Sequence, residues 1–469
     1  GYEYSGSIEP SLSIPYADYE NGYFALDAYL AGWDYGYADR FKIKGDAWGS
    51  TGLIIRDSNT DGDYKGLVDY GIKVVKVEGS HDGCYDYFCK TGDTFYIAPQ
   101  SKNYLESIDG TGLLGDGLYA WGLINPEWHY GEYYKLVNFF GPGAFNSLGI
   151  LGGAQNIWYE TLSIVDRWNY GLQFAGTGGG GADLPTDYVA PDSSASSAPN
   201  AGLWVKGSGS WVETDTTLTQ MGLEFDTSND QDIYSILAGG DFKPNGDSPY
   251  RFGLFGGYIT SALDFAGGLP GSGVDYEGGT VGGYAAYNNG AFYVDATVKG
   301  DILDATYDMG GGSEVDTNLW SAGVAANTGY RMTMGMGFFE PIASISYVHT
   351  EVDSFTGGGG TVDFSNGESL RAGGGARIGA IMPTGGGSVE VSLLGKLWNE
   401  FEGDNTITVT DGVTTETFTD DTSGLIGEAE ATIGWTNATG SFSTFLSGGG
   451  KFGENFTSWN AQAGVRVGF

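Results

Sequence analysis

Cysteine, histidine and positive charge are scarce in this chain. Its 469 residues include two cysteines, three histidines and 21 lysines and arginines, set against 59 carboxylates. Each shortage excludes something. No uninterrupted apolar run reaches roughly 18 residues, so a transmembrane helix is excluded. A formal charge of −38 with no local basic patch argues against nucleic acid or an anionic lipid surface as a charge-recognised partner, because phosphates would be repelled. That acidity suits the solubility of exposed loops. His81, His129 and His349 have no serine elbow beside them, so a nucleophile-base pair is not supplied and the chain is not expected to be an enzyme. The chain starts in mid-pattern at Gly1 without a targeting segment, which fits a processed or partial product.

Glycine (83 residues) and aromatics (14%) are abundant, and apolar residues make up 41%. Without a spanning helix, the remaining way to cross lipid is a closed barrel, and short alternating strands joined by turns suit this composition. The clearest strand is the last. From Trp459 to Phe469 every odd position is apolar and every even one polar or glycine, so Trp459, Ala461, Ala463, Val465, Val467 and Phe469 face lipid while Asn460, Gln462 and Arg466 face a lumen. Twelve such segments follow the first glycine-rich stretch, beginning at Leu203, Ile233, Tyr250, Thr280, Ala291, Val315, Phe338, Ser369, Ser388, Ser423, Ser441 and Ser458.

The connections alternate as well: short turns such as Asn288-Asn289-Gly290 follow even-numbered segments, and mostly longer loops such as 351–368 and 402–422 follow odd ones. Short periplasmic turns and longer outer loops are the outer-membrane pattern. Tyr258, Tyr287, Tyr330, Tyr347, Trp435, Trp459 and Phe469 are candidates for the aromatic girdles. Arg371 and Arg377 take inward parity, where they meet acidic residues of an enclosed helix or pair across the lumen with Glu390, Glu428 and Glu430.

Upstream, residues 171–201 read as a flexible linker rich in glycine, proline and serine. Before them, Ala144 to Asn169 spaces Leu151, Ile157, Trp158, Leu162, Val165 and Trp168 helically, with Glu160 and Arg167 among its charges. A helix of some sixteen residues there would be about 24 Å long. A twelve-stranded lumen holds one helix but no folded domain, so this segment is its expected occupant. The division is therefore residues 1–140, 141–201 and 202–469. In the first part, short apolar runs between Asp, Gly and Asn turns read as solenoid-like rungs. Cys84 and Cys89 suit a small disulfide loop in an oxidising periplasm. Asp57, Asn59 and Asp61 match the opening of a calcium loop, but position twelve is Val68 and no entering helix is apparent, so an Asp-Gly turn between rungs is the better reading. No cofactor other than calcium is suggested.

This order, together with Val465-Arg-Val-Gly-Phe469, Gly202-Leu-Trp-Val-Lys-Gly-Ser-Gly-Ser-Trp211, the rung-like Asp39 to Leu53 and Gln155-Asn-Ile-Trp-Tyr-Glu-Thr161, resembles the monomeric (type V) autotransporters of Gram-negative bacteria, in particular alphaproteobacterial members. The resemblance implies an all-β fold: a 12-stranded antiparallel transmembrane barrel with a lumenal α-helix, preceded by a short β-solenoid-like passenger segment. It also implies an outer-membrane anchor that helps export its own N-terminal passenger to the cell surface. The barrel-assembly machinery would read Trp459, Val465, Val467 and Phe469, and lipopolysaccharide would surround the outer leaflet. Two other readings stay open: a plugged porin or channel, and a surface adhesin or structural surface protein.

Overall fold

The computed structural model describes residues 22–30, 37–58, 71–84, 88–103, 106–108, 113–116, 118–125, 132–174, 199–220, 223–245, 248–267, 269–310, 314–410, 415–421 and 424–469. Twelve of its strands form the barrel: β1 (Ala201–Thr214), β2 (Asn229–Phe242), β3 (Tyr250–Phe265), β4 (Gly273–Asn288), β5 (Phe292–Asp308), β6 (Glu314–Tyr330), β7 (Gly337–Val352), β8 (Gly360–Thr384), β9 (Gly387–Glu402), β10 (Gly424–Asn437), β11 (Phe442–Phe452) and β12 (Phe456–Gly468). Each pairs antiparallel with its sequence neighbours, and β12 returns to β1 with Trp459 opposite Trp211 and Val465 opposite Val205. Closure leaves the ring without an edge, so every ladder group finds a partner inside the hydrocarbon.

The period of two explains why these residues are strands. Along β5, Phe292, Val294, Ala296 and Val298 are exposed while Tyr293, Asp295, Thr297, Lys299 and Asp301 are buried toward the lumen. Leu254 on β3 and Ile302 on β5 expose 75% and 73% of their surface, which lipid would cover. Aromatic pairs flank this band. Phe242–Phe252, Tyr250–Tyr287 and Trp435–Phe442 lie toward the short turns, and Trp211–Tyr234 and Phe452–Trp459 toward the other end.

The short turns are built from local hydrogen bonds. Gly290 takes φ +104° between β4 and β5, and its N–H donates to Asn288 Oδ1 at 2.6 Å. Gly440 does the same work between β10 and β11 at φ +68°, where the Phe442 N–H donates to Asn437 Oδ1 at 3.1 Å.

The opposite end corrects the expectation of long loops at 351–368 and 402–422. Strand β8 continues outward as a ribbon with Phe355–Gly357 and with Asp404–Thr410, which pairs in turn with Thr415–Asp421. Thr217–Gln220 and Leu223–Asp226 form a further hairpin. Threonines on these ribbons face out while Val362, Ile407, Val409 and Phe418 are buried, so each is a half-buried sheet and not a loop.

Ahead of the barrel, Gly22–Tyr29, Thr51–Asp57 and Phe95–Ile97 pair in parallel, as do Phe41–Ile43 and Ile72–Val77. An antiparallel group, Glu106–Ile108, Leu113–Asp116, Tyr119–Ile124 and Tyr133–Phe140, completes the second sheet. Leu53, Ile55, Val74, Val75, Trp121 and Tyr134 fill the space between them. Tyr134 donates to the Asp82 carbonyl at 2.8 Å and lies 3.0 Å from His81 Nδ1, and burial pushes its phenol up to about 12. His81 is therefore tied into local structure, whereas His129 lies outside the described residues.

Cys84 and Cys89, both buried in this core, form a disulfide. Replacing both with serine should destabilise this segment by about 2 kcal/mol through the small loop it closes. Thermal unfolding and protease resistance of residues 22–140 would fall in that variant, while the barrel's heat-modifiable mobility in gels stays unchanged.

Candidate functional site: the helix-filled lumen

Two helices enter the ring. Pro142 opens α1 (Pro142–Asn146), where its fixed φ suits the first turn, and after Ser147 the chain continues as α2 (Leu148–Phe174). At 27 residues α2 is about 40 Å long, so the helix starts earlier and ends later than the stretch from Ala154 to Asn169 suggested. Gly149, Gly152 and Gly153 obscured its start. Gly149 and Gly153 serve packing: a Cβ on Gly153 would lie 2.5 Å from the Tyr276 hydroxyl and one on Gly149 would lie 2.6 Å from the Phe265 ring, so glycine lets the wall approach.

The outer mouth is closed by one apolar core. Phe88, Tyr119, Phe139 and Phe140 of the preceding segment join Phe145, Leu148 and Leu151 of the helices and Phe225, Val362, Ile407, Val409 and Phe418 of the outer ribbons. Phe145 stands 4.9 Å from both Phe225 and Phe418. The Tyr119 hydroxyl donates to the Gly359 carbonyl at 3.4 Å.

Deeper in, the contacts become polar. Glu160 on α2 is buried and accepts from Lys451 Nζ at 2.7 Å, Ser458 Oγ at 3.1 Å and Ser210 Oγ at 3.2 Å. Its neighbour Tyr159 bonds Ser369 at 2.6 Å and lies under the Arg371 guanidinium, 3.7 Å from ring centroid to Cζ. Gln155 donates to Asn405 Oδ1 at 3.1 Å, and Asn156 to Gln231 Oε1 at 3.2 Å. Trp158 is fully buried against β5 and β6, where Gly323 leaves room for its indole. A cavity of about 90 Å³ remains beside the helix, lined by Tyr159, Asp295, Asn327, Arg371, Lys396 and Lys451 among others.

Below the buried part of α2, two carboxylates each hold two arginines. Asp241 accepts from Arg251 and, at 2.9 and 3.1 Å, from Arg466. Glu340 accepts from Arg331 at 2.8 Å, Arg377 at 3.2 Å and the Tyr293 hydroxyl at 3.0 Å. Both carboxylate side chains are wholly buried.

Among the described residues the sequence-named lumen groups lie inside, and ladder register sets their nearest ion pairs. Arg371 pairs with Glu400 and Arg377 with Glu340, because β8 lies beside β9 and β7 and brings those carboxylates into reach. Glu390 lies 3.8 Å from Arg331, Glu428 accepts from the Trp398 indole at 2.6 Å, and Glu430 lies within 3.5 Å of the Thr432 hydroxyl. Arg167 belongs to the part of α2 whose side chains lie outside the described residues. Lys206, Asp241, Arg251, Arg331, Glu340 and Lys451 escaped the sequence reading. For all but Arg331, which lies in the β6–β7 turn, the signal was a charge at inward parity within an otherwise lipid-like strand.

On the outside, Trp459, Val465, Val467 and Phe469 are exposed on the lipid-facing side of β12 and its end. Asp57 ends a strand of the first segment and accepts the Leu30 N–H at 3.2 Å; Asn59 and Asp61 lie outside the described residues.

Solved structures similar to this chain include three autotransporter units. The β domain of Bordetella BrkA is 19% identical, with 58% of this chain and 100% of that one covered and a TM-score of 0.43. The transport unit of Escherichia coli AIDA-I is 12% identical, covering 64% and 97% with a TM-score of 0.48. The Neisseria meningitidis NalP translocator domain is 11% identical, covering 66% and 98% with a TM-score of 0.45. No curated protein matches the chain. The family model of the autotransporter beta-domain matches residues 203–439, which span β1 to β10 of a ring whose lumen a helix occupies, and the chain belongs to that outer-membrane family.

Proposed function

We propose that this autotransporter anchors residues 22–140 at the cell surface after helping them through its own lumen, and that α2 is the last stretch to have passed. One observation carries the reading: the chain runs from the ribbon-capped mouth through the ring along α2 and resumes at Ala201, beside Phe469 at the end bearing the short turns. A segment folded outside cannot return through a bore that holds one helix, because its buried apolar core would have to be exposed. The parallel pairing of its strands supports a solenoid-like passenger. We further propose that the barrel-assembly machinery engages Trp459, Val465, Val467 and Phe469, that lipopolysaccharide surrounds the outer girdle, and that the passenger binds and does not catalyse.

Conductance of the purified chain in planar bilayers tests the plugged lumen. The intact chain should pass little current, and a variant lacking residues 142–174 should open a steady pore. Steady conductance in the intact chain would favour a porin instead. Protease shaving of intact cells tests export, and failure to release fragments of residues 22–140 would refute it.

A further inference from the structure

Five barrel side chains meet main-chain carbonyls of the helical segment. The Tyr307 hydroxyl donates to the Gly143 carbonyl at 2.6 Å and the Tyr276 hydroxyl to Ile150 at 3.0 Å. Gln231 Nε2 donates to Gly153 at 3.1 Å, Lys299 Nζ to Trp158 at 3.3 Å and Lys206 Nζ to Ile164 at 2.7 Å. All five donors are almost wholly buried. They come from the side of the ring formed by β1 to β5, every strand of which except β3 supplies at least one. From Ile150 to Ile164 their acceptors span about 21 Å of helix, most of a bilayer core. The helix side chains reach partners all round the ring: Ser210 on β1, Gln231 on β2, Ser369 on β8, Lys451 on β11, Ser458 on β12 and Asn405 on an outer ribbon.

A carbonyl has two lone pairs, so an oxygen already used within a helix accepts a second donor. It also recurs at every residue whatever the side chain. A wall that reads side chains fits one segment, whereas a wall that reads carbonyls fits any. Lys206 and Lys299 serve this well, since a long stem lets an ammonium follow a moving acceptor. A polypeptide drawn through a lumen leaves water behind, and unpaired carbonyls there are costly.

We infer that Tyr307, Tyr276, Gln231, Lys299 and Lys206 form a track of donors that binds the main-chain carbonyls of the chain in transit and then holds α1 and α2 by their backbone, largely independently of their sequence. The inference rests on the reading that α2 is the last stretch exported.

Two sets of full-length variants test it. One removes donors: Tyr276→Phe with Tyr307→Phe, and separately Lys206→Met. The other removes neutral helix side-chain anchors: Gln155→Ala, Asn156→Ala and Tyr159→Phe together. Heat-modifiable mobility confirms that each ring has closed. The donor variants should open the plug, raising open-channel probability by roughly fivefold for each bond lost, and should slow surface appearance of the passenger. The anchor variant should open less than the donor variants and export faster than they do. If the anchor variant opens as much as the donor variants, or the donor variants stay closed, the track is refuted. The Tyr→Phe pair keeps both rings, so it remains decisive if the lysine variant does not assemble. Conductance reads the grip whether or not passenger reaches the surface, which separates failure of this inference from failure of export.

Discussion

Glu340→Gln should cost the barrel roughly 3–5 kcal/mol, because it leaves two buried guanidiniums facing a neutral amide. Arg331 and Arg377 reach this carboxylate from the β6–β7 turn and from β8, and Tyr293 adds a third donor from β5, so a single charge joins four elements. Arg331 also packs its guanidinium 3.9 Å from the Phe338 ring centroid. The amide conserves shape but presents one oxygen and one donor where two oxygens accepted. A lower midpoint of heat-induced loss of the folded gel form is the expected readout. Combining Glu340→Leu with Arg331→Met and Arg377→Met should recover most of the loss, since apolar replacement of a whole buried ionic cluster is often neutral. An unchanged midpoint in the single variant would show that water or a second carboxylate already neutralises the arginines.

Gly323→Leu should expel the helix. Gly323 lies on β6 opposite Lys299 and Val348, and a Cβ there would overlap both the Trp158 indole and the Tyr347 carbonyl. The indole must move, and the Tyr347 carbonyl of the neighbouring strand must shift with it. Displacing a fully buried tryptophan costs on the order of 3–5 kcal/mol, comparable to deleting it. Bilayer current should therefore rise toward that of the variant lacking residues 142–174. Adding Trp158→Ala to Gly323→Leu should restore closure in part by freeing space for the new side chain. Persistence of the closed state in the single variant would mean that the helix shifts in its bore without leaving.

The ring was legible because lipid imposes a period of two that few other environments sustain. All twelve segments stand where alternation put them, including β12 with Trp459, Val465 and Val467 outward and Arg466 inward. The outer ribbons were harder. Thr406-Ile407-Thr408-Val409-Thr410 alternates as cleanly as any barrel strand, but an Asp-Gly turn and the acidic flank gave it the appearance of a loop. Its apolar side is buried by Phe140 and Phe145, residues more than two hundred and fifty positions upstream, and local pattern carries no trace of them. Ion-pair partners were hidden for the same reason. Parity places Arg371 and Arg377 in the lumen, but only ladder register brings Glu400 and Glu340 within reach of them.

The outer mouth bears on how load is carried. Phe139 and Phe140 belong to the strand just before α1, and they share one apolar core with Phe225 and Phe418 of the rim ribbons. A force on residues 88–140 is thus shed laterally into the rim and the interstrand ladders before it pulls on the threaded chain. Under shear the rim core therefore takes part of the load that the strand-to-helix junction at Gly141 would otherwise bear alone.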